Sequence, residues 1–372
     1  MNNVYYKWIF LNNINQKESI IMSNEKMTAK QFMDKLLAGL SVGIVVALIP
    51  NALLGELLKV IIPHFAPAQT IFDITLLAMR LSPMVIGVCI AMQFKLTPIQ
   101  ITAVGMAAVV GSGVASVGEN GSFIFAGTGD VINVAITAAI AVGIVMLLGN
   151  KLKAYTILLV PAIVVIVAGG IGIFILPYVK GITLLIGDII NKFTTLQPIL
   201  MGILISLCFA FLIISPFSTV AVATAIALGG IGSGAANLGV VATGFGLAIC
   251  GWKVNSFGTS IAHFLGSPKM QMVNFVKKPI MMVPIFCNAA ILGALAGIFN
   301  IQGTPMSAGF GISGLIGPIN ALNLMGGYTT MNVIIVTIIF VVVPIALGIL
   351  FNYIFTKIVK IVSEEDYKLT FE

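Results

Sequence analysis

YTILLVPAIVVIVAGGIGIFILP, residues 155–177, runs for twenty-three residues without a charged side chain. A bilayer core needs about 20 such residues for one helical crossing, so this stretch reads as a transmembrane helix. Similar segments flank it on both sides: about 36–62, 70–92, 97–117, 131–149, 198–213, 217–236, 239–252, 280–300 and 331–355. Ten spans are expected in all. The composition agrees, with 59% apolar residues, 8% charged residues and a mean hydropathy of +1.12. A water-soluble domain of 372 residues has no means of hiding that much apolar surface. The fold class expected is an all-α, polytopic membrane protein.

The charges lie in the connections. Arg80 is the one arginine among nineteen basic residues. With ten spans and a cytoplasmic N-terminus, fifteen of the eighteen lysines fall on the cytoplasmic side. That bias is how a membrane protein marks its inner face, so both termini are expected inside a bacterial plasma membrane. A nucleic-acid partner is excluded, because no soluble segment is large enough to fold and gather a basic face. Cys89, Cys208, Cys250 and Cys287 are widely spaced inside apolar runs and read as small buried hydrophobes. With only His64 and His263, neither a metal site nor a cofactor is expected. Residues 1–27 are polar and read as a disordered extension, with Met22 and Met27 as alternative starts. Residues 359–372 read as a cytoplasmic tail.

Two connections are unusual. Residues 178–197 alternate apolar and polar at helical spacing and read as an amphipathic interfacial helix. Residues 301–330 are uncharged and rich in Gly and Ser, the pattern of a re-entrant hairpin packed within protein. The chain also repeats itself weakly. LTPIQITAVGMAAVVGSG (96–113) resembles ISPFSTVAVATAIALGGIGSG (214–234), and LVPAIVVIVAGGIGIF (159–174) resembles MVPIFCNAAILGALAGIF (282–299). Repeat halves over about 70–177 and 198–300, in the same membrane orientation, follow. Gly-Ser-Gly at 111–113 and 232–234 is expected to break the third and seventh spans. Transporters bind their solutes between such halves, at Gly-broken helices.

Polar residues at membrane depth are the candidates for function. Arg80 sits within IFDITLLAMRLSPMV, where an ionised side chain costs at least about 2.5–3.5 kcal/mol. It is expected to be a structural intramembrane charge facing an acidic or carbonyl partner. GENGSFIFAGTGDVIN (118–133) supplies Glu119, Asp130 and Asn133. Its carboxylates and amides suit vicinal sugar hydroxyls, and Asp130 equally suits a helix cap. GWKVNSFGTSIAHFLGSPKMQMVNFVKKP (251–279) has an apolar middle between lysines and reads as a structured cytoplasmic gate carrying Asn255 and His263. Asn237 lies just before it. The substrate-binding set expected is therefore Glu119, Asp130, Asn133, Asn237, Asn255 and His263; the catalytic residues stay open.

GTSIAHFLGSPKMQMVNFVKKP, AGTGDVINVAITAAIAV and GSGAANLGVVATGFGLAICGWKVNS together resemble the type 2 membrane subunits (EIIC) of the sugar phosphotransferase system, a group that includes the regulator of perfringolysin production. The resemblance covers about residues 28–358 and departs from the family pattern at Val273, where proline is expected. It implies a membrane permease subunit that carries a sugar or related solute across and presents it to a phosphorylated partner. This chain shows no phosphoacceptor, so the donor is expected to be a separate soluble phosphotransferase subunit. The lipid bilayer is a further partner, and a homodimer stands beside the monomer as an alternative. Two other readings remain open: a transporter independent of phosphotransfer, and a membrane sensor of the toxin-regulator type.

Overall fold

The computed structural model describes residues 27–149, 151–152 and 155–369. The expected N-terminal extension lies outside them, except for Met27. Helix α1 (Ala29–Ile61) starts at a reciprocal cap: Thr28 Oγ1 accepts from Gln31 N–H, and Gln31 Oε1 accepts from Thr28 N–H. Helices α2 (Ala68–Arg80) and α3 (Ser82–Gln93) meet at Leu81 with a 49° bend. Helix α4 (Pro98–Ser112) is boxed by Thr97 and Gln100 and ends at Gly113, whose φ of +71° only glycine adopts cheaply. A short antiparallel hairpin follows, β1 (Ala115–Val117) with β2 (Phe123–Phe125), and leads into α5 (Val131–Leu148).

Helix α6 (Thr156–Ile163) passes through a π turn at Val164–Ala168 into α7 (Gly169–Phe193), giving 38 continuous helical residues. Residues 178–193 are thus the end of this long helix, not a separate interfacial one. At 1.5 Å per residue it is almost twice as long as a bilayer core is thick. Pro177 fails to break it because the helix is carried on by packing: Val179, Gly187 and Ile190 are buried.

The second half comprises α8 (Pro198–Ile214), α9 (Thr219–Ala225), α10 (Gly230–Cys250), α11 (Phe257–Leu265), α12 (Met272–Lys277), α13 (Val283–Ile298), α14 (Ile316–Leu324) and α15 (Thr330–Thr337). A π turn at Ile338–Val342 connects α15 to α16 (Val343–Tyr353). The apolar core divides accordingly. One cluster gathers α1, α3–α6 and the π turn after α6, and the other gathers residues 190–340. A third, smaller cluster joins Ile214, Leu247, Cys250, Met281, Met282, Ile285, Val362 and Tyr367.

Helix α10 is the axis of the second half, 94% buried and packed against α8, α13 and α16. Contacts between Ile205 and Gly232, Ser206 and Gly239, and Ala210 and Thr243 show that α8 and α10 run parallel. Helix α13 runs against both, with Gly293 on Gly202 and Gly297 on Pro198. Residues 215–229 must therefore travel back the length of α8 between two parallel helices. They do so as the seven-residue helix α9 flanked by irregular backbone.

Six helices are long and apolar enough to cross a membrane, or seven if α2 and α3 count as one; α4 and α8 are shorter apolar helices. The expected count of ten helical spans is therefore not confirmed. The clearest departure is at 217–236 and 239–252. The break falls at 226–229, and Gly232-Ser233-Gly234 lies inside the first turns of α10. Its glycines serve close packing, since a Cβ on Gly234 would fall on the carbonyl of Ile301 and one on Gly239 on that of Ser206. The expected break at 111–113 does fall in place, at Gly113.

Candidate functional site

Two re-entering segments flank α10. The 301–324 segment starts at its N-terminal end, where Gly303 N–H donates to Gly230 O at 3.0 Å. It then descends along the helix. Ser233 Oγ donates to Thr304 O at 2.8 Å, and Gly311 N–H donates to Asn237 Oδ1 at 3.1 Å. At Ser313 it turns, and α14 carries it back, so that Thr304 Oγ1 donates to Asn320 Oδ1 at 3.2 Å.

The 251–282 segment starts from the opposite end of α10. Ser256 caps α11 by accepting from Thr259 N–H, and Phe264 stacks on Phe245 of α10 at 4.5 Å. The chain turns at Gly266 and returns through a 3-10 turn (Pro268–Gln271) into α12. Val273 is the second residue of α12, a position that would also accept proline, so the departure from the family pattern costs no backbone geometry.

The tips of the two segments meet. Ser313 Oγ lies 3.2 Å from both Phe264 O and Gly266 O. The returning 215–229 segment joins them, with Thr219 Oγ1 donating to Gly309 O at 3.0 Å. Lys269 Nζ donates to Ser215 O at 2.5 Å and to Phe217 O at 2.7 Å. Helix α1 of the first half packs against the 3-10 turns at 268–271 and 313–315 and against α12, and Met272 belongs to the first core cluster. Three interrupted segments of one half thus converge beside α1 of the other. Interrupted backbone inside a membrane protein persists only where protein or a polar cavity satisfies it.

The chemistry of this meeting point is amide, hydroxyl and carbonyl, with one cation. Asn237 is fully buried, and its Nδ2 has no hydrogen-bond partner among the described residues. Ser260 Oγ is likewise buried without a partner among the described residues. Lys269 is buried, and no carboxylate among the described residues pairs with it. Burial lowers its pKa to about 7. Its partners are the C-cap carbonyl of α8 and one two residues beyond, where the helix dipole favours a cation. His263 is fully buried, and burial lowers its pKa to about 4 against the opposing hydrogen bonds to the backbone of Ser260 and Thr259. Its Nδ1 faces Ser260 O at 3.1 Å, and a carbonyl can only accept, so the proton sits on Nδ1. Nε2 then accepts from Gln271 Nε2 at 3.2 Å.

Other residues expected at the site have different roles. Asn255 stands at the base of the 251–282 segment, with Nδ2 donating to Gly251 O and Tyr367 O. Glu119 is exposed in the turn between β1 and β2. Asp130 caps α5, its Oδ1 accepting from Asn133 N–H at 2.9 Å. Asn133 is buried and ties helices together, its Nδ2 donating to Gly111 O and Gly172 O. The hydrogen bonds of Asp130 and Asn133 stay inside the first half, and none among the described residues joins the 118–133 set to Asn237 or His263.

Arg80 also departs from expectation. It is half-buried at the C-terminus of α2 and forms no ion pair or hydrogen bond among the described residues. The helix end supplies the negative potential that a carboxylate was expected to give, and Asp73 instead accepts from Gln69. Sequence reasoning missed Thr219, Lys269 and Ser313 as site residues. Lys269 could have been singled out, as a lysine within the apolar middle of 251–279.

Two opposed interrupted segments meeting beside a buried apolar helix suit a solute-translocating membrane protein. Comparison by sequence profile gives the family: residues 34–369 match the family described as "Phosphotransferase system, EIIC", and the chain belongs to it. It is a multi-pass membrane permease component of a phosphotransferase system. No curated protein and no solved structure matches the chain.

Proposed function

We propose that this permease component binds a sugar, or a related uncharged polyol, where the 251–282 and 301–324 segments meet. The observation that carries the reading is the orphan amide of Asn237 beside the joined tips. A buried donor without an acceptor costs about 1–3 kcal/mol, which a sugar hydroxyl would recover. Thr219, Ser313 and the carbonyls around Gly309 and Gly266 supply further neutral donors and acceptors. His263, neutral and held by Gln271, is placed to orient a hydroxyl if the tips part.

Phosphate then comes from a separate cytoplasmic polypeptide. The four cysteines lie in the apolar helices α3, α8, α10 and α13, away from any soluble domain that could pass a phosphoryl group. Both termini face the cytoplasm in this reading, in keeping with the lysines near each of them.

The test is a panel of sugars and polyols screened for thermal stabilisation of the purified protein, because a ligand that binds only the folded state raises its stability. A stabilising sugar should lose its effect in Asn237→Ala and keep it in Glu119→Gln. Retention of full affinity in Asn237→Ala would overturn the site. Coupled phosphorylation with the soluble subunits of the system tests the second half of the reading.

A further inference from the structure

The last described residues are not a free tail. Past the π turn at Ile354–Ile358 the chain reverses at Lys360, whose φ is +59°, and folds back over the base of the 251–282 segment. Ser363 and Asp366 box a 3-10 turn over Glu364–Tyr367. Tyr367 is fully buried with Leu247, Cys250, Met281, Met282 and Ile285, and its hydroxyl donates to Met281 O at 2.7 Å.

What grips this strap comes almost entirely from 251–282. Three side-chain amides bind its backbone. Asn255 donates to Tyr367 O at 2.9 Å and accepts from Leu369 N–H at 2.8 Å. Gln271 donates to Tyr367 O at 2.7 Å, and Asn274 donates to Lys368 O at 2.8 Å. Two lysines pair with its acids: Lys253 with Glu364 and Lys278 with Asp366, each at 2.6 Å. The groove thus accepts a single 3-10 turn with acids one and three residues before a buried tyrosine.

We propose that the strap, residues 361–369, is a displaceable latch that holds the 251–282 segment against the tip at Ser313. Gln271 carries the connection, since one amide binds both the strap carbonyl and His263, three residues before the tip at Gly266. The grip is one aromatic side chain, a few hydrogen bonds and two partly exposed ion pairs, which salt screens. Such a grip can be released without unfolding the helices. The inference does not depend on which solute is carried.

Hydrogen exchange on the full-length protein tests it, read at Leu369 for the strap and across 257–271 for the segment it holds. Tyr367→Ala and the double reversal Lys253→Glu/Lys278→Glu should each raise exchange at both places at least tenfold. Adding Glu364→Lys and Asp366→Lys to the double reversal should restore protection at both. Two results would overturn the latch: a strap that exchanges freely while 257–271 stays as protected as in the parent, or a strap whose protection survives both disruptions.

Discussion

Ser313 and Gly266 touch although they belong to segments that enter from opposite ends of α10: the hydroxyl of one donates to the carbonyl of the other over 3.2 Å. This bond, with its twin to Phe264 O, closes the interrupted backbone at the centre of the second half. Ser313→Ala should lower stability by about 1 kcal/mol, the net worth of a hydrogen bond of this kind. Ser313→Cys, which keeps a weak donor, should fall between. Thermal unfolding of the purified protein measures both, and a parent-like melting temperature in Ser313→Ala would mean that the tips are held by packing alone.

Lys269 gives the fold an alkaline dependence. Its folded pKa of about 7 lies below the unfolded 10.5, so between these values the unfolded chain binds the extra proton. Stability should therefore rise as pH increases from about 7 toward 10. In Lys269→Met this rise should flatten, at the cost of two unsatisfied carbonyls at Ser215 and Phe217. Denaturation midpoints across that range, parent against variant, give the comparison.

His263 acts in the acid range with the same sign. Its folded pKa of about 4 lies below the ordinary 6.5, so the neutral ring is what the fold accommodates. The stability it permits is complete above about 6.5 and falls as pH drops toward 4. His263→Gln should remove this component of acid sensitivity. An unchanged acid profile in the variant would assign that sensitivity to other groups.

The side of the membrane is open to chemical labelling. Glu365 is exposed, its side chain 70% accessible, although its neighbours are docked. Glu365→Cys should react with an impermeant maleimide only after cells are opened. Reaction in intact cells would invert the cytoplasmic assignment of the C-terminus.

Much of the fold was legible because bilayer physics writes itself into composition. The helical class, the family and the two unusual segments at 251–279 and 301–330 are all readable from apolar runs and what interrupts them. What was not readable depended on distant partners. Gly-Ser-Gly has the same local meaning at 111–113 and 232–234. It ends a helix at Gly113, but at Gly234 it admits the backbone of Ile301, which no local pattern announces. Pro177 looked like an end for the same reason. Asp130 was recognisable as a cap, whereas the docking of Tyr367 onto Met281 joins residues 86 positions apart.

The enclosure of α10 has a consequence for how the protein is made. This helix carries Ser233, Asn237 and Thr243 on a surface that ends up wholly covered by protein. Two of its covering helices, α13 and α16, are synthesised after it. A nascent chain must therefore hold a polar, glycine-rich helix in or beside the lipid until later residues arrive to wrap it. Maturation of the second half is in this sense post-insertional. A lesion in α13, such as a side chain added at Gly293, would strand α10 unwrapped and mark the whole chain for quality control before transport was ever tested.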